Sequence, residues 1–119
     1  MKKIGIVGSR RRNAGKDYTK IYLAFLKVFE KNNTIIISGG CLKGGDRFAE
    51  GLARKFGIPI TIYHANWKLG KHAGFLRNTD IAKNSSILIA CIAPDRKGGT
   101  EDTIKKFKKF HPTNKIILC

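Results

Sequence analysis

The fold class predicted for this 119-residue chain is α/β, a single domain over residues 1–119 built on a parallel sheet. Three observations carry the prediction. Five short, β-branched apolar runs alternate with four segments of helical periodicity. The runs are nearly continuous in apolar residues, as strands covered by helices on both faces must be. Polar, glycine-bearing motifs directly follow three of the runs. Right-handed crossovers then favour a three-layer Rossmann-like arrangement with strand order 3-2-1-4-5.

Each element has its own signature. The strands are read at Lys3 to Val7, Thr34 to Ser38, Pro59 to Tyr63, Ser86 to Ile92 and Lys115 to Leu118. The first helix is predicted from Asp17, as N-cap, to Lys31, because Tyr18, Ile21, Tyr22, Phe25, Leu26 and Phe29 follow helical spacing. Phe48, Ala49, Leu52, Ala53 and Phe56 repeat on one face of a second helix from Asp46 to Phe56, which Gly57-Ile58-Pro59 ends. A third, less periodic helix runs from Ala73 to Lys83. The fourth, from Glu101 to Phe110, stops before Pro112.

Twenty-four Lys and Arg against eight Asp and Glu give a formal charge of +16, a field that attracts polyanions. Much of the excess is assigned to solvated helix faces, as at Lys105, Lys106, Lys108 and Lys109 opposite Ile104, Phe107 and Phe110. Three cysteines without C-x-x-C spacing indicate neither a disulfide framework nor a zinc site, and a cytoplasmic location is expected. Cys91 reads as a core residue, and Cys41 as part of a glycine-rich loop. His64 and His72, eight apart, suggest no metal. No stretch approaches membrane-spanning length, and the run after Lys2-Lys3 is too short for a signal peptide, so no membrane partner is expected.

In an open parallel sheet the loops leaving the carboxyl ends of the strands share one edge, and ligands bind where strand order reverses. Gly8-Ser9-Arg10-Arg11-Arg12 leaves the first strand offering free N–H groups, a hydroxyl and guanidiniums to a phosphate. It is not a Walker A loop: six residues separate Gly8 from Gly15-Lys16, and Asp17 follows. The dinucleotide G-x-G-x-x-G pattern is likewise absent. Ser38-Gly39-Gly40 through Gly44-Gly45-Asp46 permits close backbone approach, with Asp46 either capping the second helix or accepting hydrogen bonds from a ribose or base. Arg77-Asn78 lies on the third helix and Gly98-Gly99-Thr100 opens the fourth. Trp67 precedes the third helix in a loop and is read either as a stacking partner for a base or as a partly buried anchor.

Taken in order, Gly8-Ser9-Arg10, Ser38-Gly39-Gly40 with Gly44 and Asp46, Trp67, Ala73-Gly74 with Arg77-Asn78, and Gly98-Gly99-Thr100 span nearly the whole chain. This ordered set resembles the YspA, or cpYpsA-related, branch of the SLOG superfamily, which also includes the lonely-guy phosphoribohydrolases and the Rossmann domain of the DNA-processing protein DprA. The resemblance implies a Rossmann-like domain that binds and senses a nucleotide or nucleotide derivative. Two departures are visible. Ser86 stands where family members usually carry an acid. Asp95-Arg96-Lys97 precede a shorter Gly98-Gly99-Thr100-Glu101-Asp102 in place of the lonely-guy proline-glycine-glycine-x-glycine-threonine loop and its glutamates.

The leading expectation is a binding module for a small nucleotide that requires no cofactor. An N-glycosidic phosphoribohydrolase is the second reading, with Glu101 or Asp102 as the carboxylate and Arg77 on the phosphate. Single-stranded nucleic acid binding through Arg10 to Arg12 and the lysines of the fourth helix is the third. A homo-oligomer is considered through the first helix, with its two tyrosines.

Overall fold

Alternation within each strand decides the architecture. Ile4, Ile6, Ile36, Ile89 and Cys91 point to one face of the sheet, and Val7, Ile37, Leu88 and Ala90 to the other. Each set is buried, so each face needs a helical cover. The computed structural model describes residues 1–119. It contains β1 (Lys2–Gly8), α1 (Gly15–Val28), β2 (Thr34–Ser38), α2 (Gly45–Phe56), β3 (Ile60–Ile62), a 3₁₀ turn (Trp67–Leu69), α3 (His72–Asn84), β4 (Ile87–Cys91), α4 (Gly99–Phe110) and β5 (Ile116–Leu118). All pairings are parallel and the order is β3-β2-β1-β4-β5, as the alternation of elements predicts.

α1 and α2 cover the first face, with Ile21, Ala24, Phe25 and Val28 meeting Phe48, Ala49, Leu52 and Ala53. On the second face α3 and α4 contribute Ile81, Ala82, Ile104 and Phe107. Tyr18 and Tyr22 are spent inside this packing, at 5.5 Å from Phe48 and 6.0 Å from Phe56 between ring centroids. Phe110 departs from the expected α4 stripe and stays exposed.

Helix ends differ from the sequence reading in instructive ways. α1 begins at Gly15 with Ala14 as its N-cap, not at Asp17. Asp17 sits one turn in, and its carboxylate reaches back to accept the Ala14 N–H at 3.0 Å. The helix stops at Val28 rather than Lys31, because the Glu30 N–H is taken by Thr34 Oγ1 at 3.0 Å and Asn32 turns left-handed at φ 63°. α4 starts two residues early, at Gly99, since Gly98 takes φ 114° and serves as N-cap. Ser86 ties the start of β4 to β1: its Oγ accepts from Lys3 N–H at 3.1 Å and donates to Lys3 O at 2.9 Å.

One close approach fixes where the loops at the carboxyl edge of the sheet sit. Gly45, the first residue of α2, lies against the end of β1 so tightly that a Cβ there would fall 2.5 Å from the Val7 carbonyl carbon and overlap the Gly8 nitrogen. Backbone cannot yield as a flexible side-chain tip does. Gly45→Ala is expected to push α2 off the sheet edge and cost about 1–3 kcal/mol, as overpacking does. Chemical denaturation checks it; an unchanged midpoint would show that the contact is slack.

No helix is long and apolar enough to cross a membrane.

Candidate functional site

The reversal of strand order between β1 and β4 leaves a cavity of about 350 Å³ at the carboxyl edge of the sheet. Gly8, Ser9, Arg10 and Arg11 line it from the β1–α1 loop, and Cys41 and Asp46 from the β2–α2 side. Arg77, Asn78 and Ile81 come from α3, and Lys97, Gly98, Gly99, Thr100 and Thr103 from the β4–α4 loop and α4. Val7, Cys41 and Ile81 are its only apolar contributors, and no aromatic ring lines it.

Several motif residues stand behind the lining. Ser38 is fully buried, with its Oγ unpaired. Gly39 threads between Arg77 and Asp46, where a Cβ would meet Arg77 Nη1 at 2.8 Å and Asp46 Oδ2 at 2.9 Å. Gly40 and Gly44, both at φ 74°, shape the loop, and Gly44 packs on the Ser9 carbonyl. Trp67 is outside the lining, 60% exposed on the 3₁₀ turn.

The cations divide into occupied and free. Arg11 donates two bonds to Asp95, at 3.1 and 2.6 Å, and this pair holds the Asp95 carboxyl below its usual range. Arg12 turns inward: its Nε donates to buried Asp17 at 2.6 Å and its Nη1 to Ile92 O at 2.7 Å. The Arg10-Arg11-Arg12 track read from sequence is therefore reduced to Arg10, which is exposed and makes no hydrogen bond or ion pair within the protein. Arg77 donates from Nη1 to Gly39 O at 2.8 Å and from Nε to Asn78 Oδ1 at 3.1 Å, leaving Nη2 for a ligand. The Lys97 ammonium also lacks a carboxylate partner. No side chain caps α4, so its first N–H groups face the cavity unsatisfied.

Asp46 is the one carboxylate in the lining and is 8% exposed. Its place is in the first turn of α2, where Gly44 is the N-cap. Desolvation raises its pKa above the usual carboxylate range, against the Cys41 N–H at 3.0 Å, the Arg77 charge and the Gly39 N–H, which pull it down. A raised carboxyl favours its protonated form, so Asp46 adds stability as the pH falls toward its pKa, opposite in sign to an ion-paired acid.

The other acidic candidates are committed elsewhere. Glu101 is gripped by Arg96 at 2.9 and 2.7 Å, and Asp102 accepts from Asn78 at 3.2 Å and Lys106 at 2.8 Å. Neither lines the cavity. The Asn78 amide is consumed by these contacts and by Gly99 O at 3.2 Å, so it braces α3 against α4 rather than presenting free donors. Cys91 is a core residue whose thiol burial pushes up to about 11. No three His, Cys, Asp or Glu side chains gather in a metal-ligating cluster.

Lys97, Thr103 and Asn13 are among the contributors that escaped the sequence reading. Lys97 adjoins Gly98, and a cation flanking a glycine turn was the available signal. Asn13 carried none: its Oδ1 accepts from the Gly44 N–H at 2.8 Å and from Arg47 Nε at 3.0 Å, contacts spanning more than thirty residues. Comparison with family models, curated proteins and solved structures finds no match for this chain.

Proposed function

We propose that the cavity binds a phosphate-bearing nucleotide or nucleotide derivative, and that the protein acts as a sensor of it. One observation carries the reading: Arg10, Arg77 and Lys97, none of them in an ion pair, converge with the uncapped start of α4 on one polar cavity. Cations without carboxylates around open N–H groups form an anion site. The cavity lies at the small end of ligand pockets, roughly 300–1,000 Å³, and Asp46 offers a carboxylate oxygen to a sugar hydroxyl. The motif order shared with the YspA branch of the SLOG superfamily supports the same reading.

A glycosidic hydrolase is the second reading, and the raised pKa of Asp46 moves it away from Glu101 and Asp102. Asp46 is the one carboxyl that lines the cavity, and burial raises its pKa above the usual carboxylate range, the direction a general acid or base requires.

A thermal-shift screen at moderate salt tests these readings, using nucleoside mono-, di- and triphosphates, ADP-ribose, cyclic nucleotides and a short single-stranded oligonucleotide. Selective stabilisation by a small nucleotide recovered intact is the expected result. Release of free base would make the protein an enzyme, with Asp46→Asn expected to abolish it. Stabilisation by the oligonucleotide alone, lost with added salt, would assign binding to the diffuse +16 charge and overturn the cavity reading.

A further inference from the structure

Resting on that reading of the cavity, we infer that Trp67 is a stacking shelf on which the base of the nucleotide lies outside the cavity, so that sugar and phosphate are read inside and the base is read by its face alone. The cavity lacks a surface for a flat ring. It has three apolar contributors, none aromatic, while its rim is crowded with cations and N–H groups. The phosphate and sugar are served there, and a flat apolar ring is not.

Helical geometry shows where the ring can go. Gly74, Arg77, Asn78 and Ile81 stand at i, i+3, i+4 and i+7 on α3, and the last three line the cavity. Gly74 therefore continues the cavity stripe by one more turn, about 5 Å along the axis from Arg77 and Asn78. The outer edge of the Trp67 ring stands over this position: Cη2 and Cζ3 are 3.4 and 3.7 Å from where a Gly74 Cβ would be. No side chain at Gly74 separates the indole from Arg77. Contact through that edge, with the residue 60% exposed, leaves ring surface open to a ligand.

The 3₁₀ turn holds the shelf in place. Asn66 Oδ1 accepts the Lys68 N–H at 3.2 Å, and the Gly70 N–H donates to Trp67 O at 3.1 Å. An indole fixed in this way stacks on any base, because each base has a π face, whereas base-edge hydrogen bonds would discriminate. The ligand class is thus 5′-phosphorylated nucleosides with little preference among bases, the purines held somewhat tighter by their larger face.

Trp67 is the sole tryptophan, so its fluorescence reports on the shelf directly. The full chain would be titrated with AMP, GMP, UMP and ribose 5-phosphate, following Trp67 emission and heat together. The nucleotides are expected to quench Trp67 and to bind about 10-fold tighter than ribose 5-phosphate, the lower end of what base–aromatic stacking supplies. Trp67→Ala should bring the nucleotides down to the affinity of ribose 5-phosphate and leave the latter unchanged; Trp67→Phe should restore most of the difference. Nucleotide binding with unquenched Trp67 and an unaltered Trp67→Ala affinity would overturn the shelf while leaving the cavity site standing. Absence of binding by all four compounds would overturn the cavity reading, and the shelf with it.

Discussion

Arg12→Ala is expected to lower the folding free energy by about 3 kcal/mol, the lower end of the range for removing one partner of a buried ion pair. Arg12 is a bolt between three elements, joining the Asp17 carboxylate in α1 to the Ile92 carbonyl after β4, with the Cys119 carbonyl at 3.4 Å. The side chain of Asp17 is 4% exposed, so truncating Arg12 leaves a poorly solvated carboxylate with only the Ala14 N–H as its hydrogen-bond partner. One edge of Arg12 remains wet, which places the estimate low in the range. For a domain of this size the loss corresponds to a drop in Tm of about 10 °C. Thermal unfolding of the variant reads it directly, and a Tm within a degree or two of the parent would show that the pair contributes nothing net.

The same pair sets a pH signature. Burial alone would raise the Asp17 pKa, but the Arg12 hydrogen bond, the Ala14 N–H and the charges of Arg12 and Lys16 outweigh it and hold the group below 3.8. A depressed carboxyl binds its proton more weakly folded than unfolded. Its stabilisation is therefore complete above the unfolded pKa and is lost as the pH falls through the folded one. Wild-type stability should decline on acidification below about pH 4, and Arg12→Ala should flatten that decline or reverse its sign. Denaturation midpoints from neutral pH to pH 2 separate the two cases, since an unchanged acid limb in the variant would assign the effect to another group.

Arg10→Ala is expected to have the opposite profile. Arg10 is exposed and its guanidinium makes no hydrogen bond or ion pair within the protein, so stability should stay within about 0.5 kcal/mol of the parent. Nucleotide affinity should fall about 10- to 100-fold, as loss of a charge-assisted hydrogen bond worth about 1.5–3 kcal/mol requires. Calorimetric titration beside thermal unfolding measures both quantities on one preparation. Unchanged affinity would remove Arg10 from the site and shift the anion onto Arg77, Lys97 and the α4 N–H groups.

The fold was legible because parallel strands buried on both faces cannot disguise themselves: Ile35-Ile36-Ile37 and Ile87-Leu88-Ile89-Ala90 admit no solvent-facing alternation. The convergence of Gly8, Asp46 and Gly99 was legible for a related reason, since topology sends the ends of those loops to one edge, whereas Arg77, inside α3, depended on how that helix is turned. What the sequence concealed was the assignment of partners. Arg10, Arg11 and Arg12 are chemically alike in the chain, yet one is free, one is held by a residue 84 positions away and one is half-buried against α1. Glu101 and Asp102 looked available because Arg96 and Asn78 carry no mark of their commitment to them. Such pairings are decided by distances that exist only after folding. The N-cap of α1 was misplaced for a local reason: an Asp in the first turn either caps the helix or, from position N3, accepts the N–H of the N-cap residue, and Asp17 does the second.

The single amide oxygen of Asn13 joins two loops that belong to different helices. Through the Gly44 N–H it touches the loop packed on Ser9, at the cavity; through Arg47 it touches the solvent-facing side of α2, where that guanidinium rests 4.6 Å above the Phe48 ring. The inner and outer surfaces therefore share one hinge pin. Under the proposed site, a displacement of Ser9 would be passed through Gly44 to Asn13, and Arg47 is held by Asn13 twice, at its Oδ1 and at its carbonyl, 3.2 Å from Arg47 Nη2. If the proposed site is filled, its occupancy would be legible from outside the molecule, as a change in where one positive charge stands.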